Sequence, residues 1–215
     1  MGRASRRRAE HRARAAAPKT DAALRSLTRT DFPRVMPLLR DAVGDEDPER
    51  LTLYLQEPSM ANRFGTGLVA EADGQILGVI AGAGIGLSLP GLEVTEEEIT
   101  RRIALLDVLA VHPDHRRQGI GALLRNALLD HFRRAGHRLV LAKLAAGRRD
   151  LVPVYSGWGW TVGNPGAGVA VELGPDPVVL AEDPTTRVAW IALAPGVSLN
   201  SSVVPGALVV SGAFD

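Results

Sequence analysis

The sequence predicts a mixed α/β fold in which a mixed, mostly antiparallel central sheet is flanked by helices. Short apolar segments alternate with amphipathic ones, as they do in layered α/β domains. The dipeptide Asp73-Gly74 separates two strand-like segments and is typical of a two-residue turn between antiparallel strands. The apolar run 103–111 contains a single charged residue, Asp107, and is followed by His112-Pro113. This run predicts a central strand that is buried on both faces.

The other elements follow from turn and cap residues. Thr30 or Asp31 is a suitable N-cap for a helix over 31–43, which Pro37 should kink or split. Asp47-Pro48-Glu49 is typical of a helix start, because an N-cap acid precedes a proline at the first helical position. The remaining expected elements are strands over 23–27, 67–72, 75–84 and 138–143, a strand pair within 160–173, helices over 120–136 and 148–156, a partly helical stretch over 92–102, and extended stretches over 187–193 and 202–210.

Composition limits the classes of protein to which the chain can belong. With 215 residues and 46% apolar content, it can bury one sizeable core. The 25 basic and 24 acidic residues nearly cancel, so the whole chain gives no electrostatic reason to bind nucleic acid. Cysteine is absent, which excludes disulfides, cysteine-type zinc sites and a cysteinyl acyl intermediate. Neither a membrane-spanning run nor a secretory signal is visible, so a cytoplasmic location is expected.

Three regions differ in composition. Residues 1–20 carry six arginines and one lysine against one acid, and are expected to form a basic, disordered tail. The alternative for this tail is an arm that binds nucleic acid or an acidic partner. Residues 21–175 are expected to form the main domain, and residues 176–215 a β-rich C-terminal extension.

The segment from Arg116 to Ala122 joins the predicted central strand to an amphipathic helix. Gly119 and Gly121 lack the side chains that would keep a ligand away from the backbone. The unpaired amides and the positive dipole end of a helix N-terminus favour an anion. We therefore predict a diphosphate site whose backbone donors come mainly from Gln118 to Ala122, with added charge from Arg116 and Arg117.

Arg116-Arg117-Gln118-Gly119-Ile120-Gly121 fits the pattern Q/R-x-x-G-x-G/A and thereby resembles the GCN5-related N-acetyltransferases. The preceding strand end is also similar to that family's. The resemblance implies a GNAT-like acyl-CoA-binding fold and N-acetyltransferase activity for residues 21–175. It also implies a strand end that splays from the 138–143 strand, admits pantetheine and polarises the thioester carbonyl through backbone N–H groups. The implied acetyl-CoA-binding residues are Leu109, Ala110, Val111, Arg116, Arg117, Gln118, Gly119, Ile120, Gly121 and Ala122.

A second match lies downstream. Tyr155-Ser156-Gly157-Trp158-Gly159-Trp160 is similar to the family's Y-x-x-x-G-F/W element. The resemblance implies that Tyr155 lies near the thioester sulfur and protonates the departing thiolate, a role that an unperturbed phenol near pKa 10 can fill. The alternative for Tyr155 is a packed aromatic residue. Many members carry an asparagine seven residues before this tyrosine, where the present chain has Arg148.

Asp107 is the candidate general base. A carboxylate within an apolar strand must be paired, protonated or in contact with a wet cleft. The two-residue period of a strand places Asp107 on the same face as Leu109 and Val111. It could accept the proton of a substrate ammonium, or serve as a structural partner of Arg101 or Arg102. His112 is a rival base or a strand-end hydrogen bonder.

These patterns together predict an acetyl-CoA-dependent N-acetyltransferase that uses no metal. A deprotonated primary amine, on a small molecule or a peptide, attacks directly while both substrates are bound. Two other interpretations stay open: a non-catalytic acyl-CoA sensor that needs only the loop, and a nucleic-acid-associated protein that uses the tail. Neither a membrane nor nucleic acid is the expected partner, and the sequence allows a homodimer.

Overall fold

The fold is taken from a computed structural model that describes residues 21–43, 65–85, 96–172, 177–181, 183–200 and 207–213. The basic tail, the helix predicted from Asp47 and part of the last extended stretch lie outside these residues. The helices are α1 (Phe32–Val43), α2 (Glu96–Arg102), α3 (Ile120–Ala135) and α4 (Leu151–Gly157). The strands are β1 (Ala23–Ser26), β2 (Thr66–Ala72), β3 (Gln75–Gly84), β4 (Ile103–Val111), β5 (Leu139–Ala145), β6 (Thr161–Val162), β7 (Gly168–Glu172), β8 (Pro177–Ala181), β9 (Thr186–Ala192), β10 (Ser198–Asn200) and β11 (Ala207–Ser211).

The described chain forms two compact units. One comprises the described residues within 21–82 and 108–130, and the other comprises those within 83–107 and 131–213. Strands β3 and β4 each run through both units. The fold class is the predicted one, a mixed α/β fold with a mostly antiparallel sheet flanked by helices.

In the first unit, the strands follow the order β1-β2-β3-β4, with β1–β2 and β2–β3 antiparallel. Asp73 and Gly74 have φ values of 50° and 73°, as a tight turn between twisted strands requires, so the predicted hairpin is confirmed. Helix α1 packs on this sheet through three fully or nearly fully buried residues, Val35, Leu38 and Leu39. The helix continues through Pro37, so the predicted split does not occur.

The start of α1 differs from the predicted cap. Thr28, not Thr30 or Asp31, is the N-cap of a short 3₁₀ turn, Arg29–Asp31, that leads into the helix. Asp31 closes a capping box with Thr28 and also accepts two hydrogen bonds from Arg25, each of 2.7 Å. The same guanidinium donates to Glu71 at 2.6 Å, which ties β1, β2 and the start of α1 together.

In the second unit, β4 pairs in parallel with β5 from Ile103↔Leu139 to Leu106↔Ala142. Strand β9 is antiparallel to β5 over all seven residues and also pairs with β6. A second sheet has the order β10-β11-β7-β8. Strands β6 and β7, which were predicted as a pair, therefore belong to different sheets. The domain boundaries at residues 20 and 175 remain predictions.

Strand β4 departs from the prediction of burial on both faces. The residues Leu106, Val108 and Ala110 are buried, whereas Leu105, Asp107, Leu109 and Val111 are only half-buried. The strand is thus apolar on both faces but packed fully on one of them. The half-buried face carries Asp107, which an entirely enclosed strand would accommodate only at a high cost in solvation energy.

Candidate functional site

The loop after β4 brings a run of backbone amides to the start of α3. A 3₁₀ turn, Pro113–His115, leads to Arg117, which has a φ of 61°, and to Gly119, which has a φ of 91°. The helical hydrogen bonds begin with the amide of Leu123, which donates to the carbonyl oxygen of Gly119 at 2.9 Å. Six successive amides, from Arg117 to Ala122, consequently have no acceptor among the described residues.

Close packing fixes this end of α3 on the sheet. A Cβ atom on Gly78 of β3 would lie 2.9 Å from the carbonyl oxygen of Ala110. It would also lie 3.0 Å from Leu124 and 3.1 Å from Ile120, two fully buried residues in the first turns of α3. Only glycine allows the helix to pack this close, so Gly78 positions the amides of the loop.

Arg116 braces the loop from the side. Its Nε donates to the carbonyl oxygen of Val111 at 3.1 Å, and its Nη2 forms an ion pair with Asp41 of α1. The side chains of Arg116 and Asp41 are both 50% exposed, so a ligand can still reach the guanidinium. Arg117 is exposed as well, and it forms no ion pair within the described residues.

His112 acts at the strand end as a cap. Its Nδ1 accepts a hydrogen bond of 3.3 Å from the amide of Asp114. In the neutral ring, Nδ1 is then the acceptor and Nε2 carries the proton, so Nε2 cannot accept a proton from a substrate. The strand-end role predicted as one of two alternatives for His112 is the one that these contacts favour.

Tyr155 lies on α4 and is buried. Its ring contacts Trp158 and Trp160, with centroid separations of 5.4 and 5.3 Å. Its hydroxyl has no hydrogen-bond partner among the described residues. Burial raises the pKa of Tyr155 to about 12, because the phenolate would lose its hydration. The unperturbed pKa near 10 that was assumed from the sequence is therefore too low, and the phenol stays protonated at any physiological pH.

The site residues predicted from the sequence fall into two groups. Leu109, Ala110, Val111 and the whole segment 116–122 belong to the first unit, where α3 and β4 hold them together. Asp107 and Tyr155 belong to the second unit. Asp107 is half-buried on β4, on the same strand face as Leu105.

Most of the sequence matches the model of one protein family. Residues 22–160 match the model described as the acetyltransferase (GNAT) family. The chain belongs to this family. The assignment confirms the resemblance drawn from the loop and from the tyrosine element, and it makes the chain an acetyltransferase-family protein with acetyl-CoA as the expected co-substrate.

Solved structures of other GNAT proteins share the fold. A putative acetyltransferase from Salmonella typhimurium, yncA, solved with its cofactor acetyl-CoA, superposes with a TM-score of 0.57 at 18% identity, covering 82% of this chain and 96% of that one. Ard1 from Thermoplasma volcanium gives a TM-score of 0.57 at 16% identity, covering 81% of this chain and 99% of that one. A GNAT acetyltransferase from Elizabethkingia anophelis with acetyl-CoA bound gives a TM-score of 0.54 at 15% identity, covering 81% and 100%. No curated protein matches the chain.

This GNAT protein departs from the family pattern at Arg148. The Arg148 guanidinium donates to both carboxylate oxygens of Asp150, at 2.9 Å each. These contacts hold the pKa of Asp150 below its usual range and fix the turn before α4. Arg148, which stands where many family members carry an asparagine, is thus engaged in a local ion pair with Asp150.

The sequence interpretation missed two residues that shape the loop, Gly78 and Asp41. Gly78 lies within an apolar strand. The one sequence signal for its packing role is a glycine at a position where strands favour larger side chains. Asp41 lies 75 residues from Arg116, and no local pattern joins them. Among the described residues, no group of acidic or histidine side chains could hold a metal ion. No described helix is both long and apolar enough to cross a membrane.

Proposed function

We propose that this GNAT protein is an acetyl-CoA-dependent N-acetyltransferase that acetylates a primary amine by direct attack in a ternary complex. The observation that carries the proposal is the run of six amides from Arg117 to Ala122, for which the described part of the chain offers no acceptor. Backbone donors at a helix start, without side chains at Gly119 and Gly121, suit a diphosphate. Each charge-assisted hydrogen bond there contributes about 1.5–3 kcal/mol.

Acetyl-CoA, when bound, supplies an activated thioester, and the chain supplies binding and proton control. Gln118 to Ala122 hold the diphosphate through their backbone, while Arg116 and Arg117 add positive charge. Arg116 keeps its contacts with Val111 and Asp41, so it adds charge as part of a braced loop. The backbone of Leu109, Ala110 and Val111 is proposed to bind the pantetheine arm and to polarise the thioester carbonyl.

Tyr155 is proposed to serve the departing thiolate. A phenol with a pKa of about 12 is a weaker acid than a thiol with a pKa near 8.5, so complete proton transfer would be uphill by about 4–5 kcal/mol. The hydroxyl instead favours the thiolate by donating a hydrogen bond to sulfur as charge develops. Tyr155 thus keeps the catalytic role that the resemblance implies, but it stabilises the thiolate by a hydrogen bond instead of transferring its proton completely.

Asp107 is proposed to accept the proton of the acceptor ammonium, directly or through water. Its position supports this role, since it is half-buried on the incompletely packed face of β4. The acceptor is a small molecule or a peptide amine in this proposal, and no metal is used. A cytoplasmic location and the absence of membrane and nucleic-acid partners remain expectations.

Acetylation of an amine panel tests the proposal. Purified protein is incubated with acetyl-CoA and polyamines, aminoglycosides, amino acids and peptides, and released thiol and product mass are measured. We expect thiol release that depends on one class of amine. The product should gain about 42 Da, the mass added by one acetyl group. Tight acetyl-CoA binding without thiol release for any amine would favour the acyl-CoA sensor instead.

A further inference from the structure

Asp41 lies in the last turn of α1, where a helix does not favour an acid. The negative end of the helix dipole is at the C-terminus, so a carboxylate there is repelled, whereas the neighbouring Arg40 suits this end. The carboxylate of Asp41 pairs instead with Arg116, 75 residues away in the loop after β4. The favourable interaction of this acid is therefore with the loop and not with its own helix.

The position of Asp41 relative to the loop is fixed by the core beneath α1. Residues on both sides of Asp41 pack into one hydrophobic cluster with the end of β4. The members of this cluster nearest to the ion pair in the chain are Leu38, Leu39 and Ala42 of the helix and Val108 and Ala110 of the strand. The loop is held on the same sheet, because the amide of His112 donates to the carbonyl oxygen of Leu77 on β3 at 2.8 Å. The ion pair thus joins two elements that are each anchored.

Arg116 spans the space between α1 and the strand end with two of the N–H groups of its guanidinium. Nε donates to the carbonyl oxygen of Val111 at 3.1 Å, and Nη2 donates to the carboxylate of Asp41. The backbone amide of Arg116 also donates to the carbonyl oxygen of Pro113, at 3.3 Å. Main chain and side chain of Arg116 are therefore both held, and the planar guanidinium is tied at two separate points, which a lysine ammonium would not reproduce.

The neighbouring residue, Arg117, differs from Arg116. It is exposed and forms no ion pair within the described residues. Its φ of 61° is a left-handed conformation, which costs a residue with a side chain free energy and persists where the surroundings enforce it. The run of amides that ends at Ala122 begins at Arg117. The contacts of Arg116 with Asp41 and Val111 therefore hold the chain immediately before the strained start of this run.

We propose that Asp41 is a positioning residue for the coenzyme site, which through Arg116 holds the loop backbone in the geometry that binds the diphosphate. This inference rests on the proposed function. Its distinctive consequence concerns charge. Acetyl-CoA is a polyanion, so a carboxylate beside the diphosphate site opposes binding by simple electrostatics. The positioning role has the reverse effect, and acetyl-CoA binds more tightly when the carboxylate of Asp41 is present.

Removal of single acids beside the loop separates the two effects. Asp41→Asn removes the carboxylate that pairs with Arg116, whereas Asp41→Glu keeps a carboxylate on the same helix. Asp114→Asn is the matched control, because Asp114 lies in the turn before the loop, is 84% exposed and lies nearest to His112 instead of a loop arginine. Calorimetry measures acetyl-CoA binding to each variant at low and at physiological salt. Thermal denaturation checks the fold, which should hold because an exposed ion pair contributes little to stability.

We expect Asp41→Asn to lose acetyl-CoA affinity on the order of 10-fold, about the effect of one weakened charge-assisted hydrogen bond. Asp41→Glu should keep most of the affinity. Asp114→Asn should bind as the wild type does or slightly more tightly, with any gain largest at low salt. Acetyl-CoA affinity of Asp41→Asn equal to or above that of the wild type would overturn the inference.

A double variant tests whether Asp41 acts through Arg116. In the Arg116→Gln background, Asp41→Asn should cause no further loss of acetyl-CoA affinity, because the guanidinium that the carboxylate holds is gone. A loss as large as in the wild-type background would also overturn the inference. Binding of acetyl-CoA to the wild type, with its loss in Gly119→Glu, would in either case leave the proposed function intact.

Discussion

Gly78 and Ala110 approach so closely that a Cβ atom on Gly78 would lie 2.9 Å from the carbonyl oxygen of Ala110. The same Cβ would contact Ile120 and Leu124, which begin the helix after the coenzyme loop. Backbone on one side and buried side chains on the other leave no direction in which a methyl group could relax cheaply. The glycine thereby couples the packing of α3 to the position of the loop amides.

The first prediction follows from this contact. Gly78→Ala should destabilise the protein by about 1–3 kcal/mol, as other overpacked core positions do. It should also weaken acetyl-CoA binding, because the helix start must shift. Gly147→Ala is the control, since a Cβ there meets nothing within 4 Å. Thermal denaturation and calorimetry measure both effects, and equal behaviour of the two variants would show that the loop does not depend on this packing.

The second prediction concerns Asp31, whose side chain is 4% exposed. Hydrogen bonds from Arg25 and Thr28 hold the pKa of this carboxyl well below its usual range. A depressed folded-state pKa means that the stabilisation is present above the ordinary pKa near 4 and is lost as the pH falls through the folded value. Asp31→Asn should cost about 3 kcal/mol at neutral pH and flatten the loss of stability in acid.

Glu97→Gln provides the comparison for Asp31. Its partner is Arg101, and both side chains are exposed, so the change should cost no more than about 0.5 kcal/mol. Chemical denaturation across pH 2–7 measures both variants. A cost for Asp31→Asn as small as that for Glu97→Gln would show that the Arg25–Asp31 contact does not hold β1 and α1 together.

The third prediction concerns Tyr155. Tyr155→Phe keeps the ring contacts with Trp158 and Trp160 and removes only the hydroxyl, so kcat should fall on the order of 100-fold while acetyl-CoA affinity holds. Because burial raises the pKa of Tyr155 to about 12, its proton is lost only above pH 10. Wild-type activity should therefore show no decline near pH 10 from this group. If Tyr155→Phe keeps the kcat of the wild type, the hydroxyl takes no part in the reaction, and the chain acts only by positioning the substrates.

The fourth prediction concerns Asp107. If it accepts the proton of the acceptor ammonium, Asp107→Asn should shift or remove the acidic limb of the kcat/KM profile against pH. If its role is structural, the variant should lose thermal stability and keep the same profile. Steady-state kinetics over pH 5–9, together with thermal denaturation, separates the two roles.

Local patterns were sufficient to predict most elements. The Asp73-Gly74 turn, the strand over 103–111 and the helix after Gly119 all appear as predicted, because each depends on turn chemistry or on periodicity within a few residues. Gly136, with a φ of 92°, follows the last residue of α3, at the end of the helix predicted over 120–136. The family, too, was evident from two local motifs.

Long-range relationships could not be predicted in the same way. The insertion of β9 between β5 and β6 pairs residues that are far apart in the chain, as in Ala142↔Ala189, which are 47 residues apart, and no local signal specifies that register. The ion pair of Arg116 with Asp41 likewise depends on the placement of α1 beside the loop after β4. The pKa of Tyr155 depends on how deeply its hydroxyl is buried, which no local pattern in the sequence specifies.

The central claim is that the loop before α3 binds the diphosphate of acetyl-CoA. Gly119→Glu places a negative side chain among the free amides, and Gly136→Glu is its control at the other end of the same helix. The two glycines have φ values of 91° and 92°, so both substitutions carry the same backbone strain.

Calorimetric titration of acetyl-CoA into the two variants is the most direct measurement of this claim, with folding checked by circular dichroism. We predict that Gly119→Glu loses affinity on the order of 100-fold, as expected for about two charge-assisted hydrogen bonds, while Gly136→Glu binds like the wild type. Equal affinity of the two variants for acetyl-CoA would contradict the assignment of the loop.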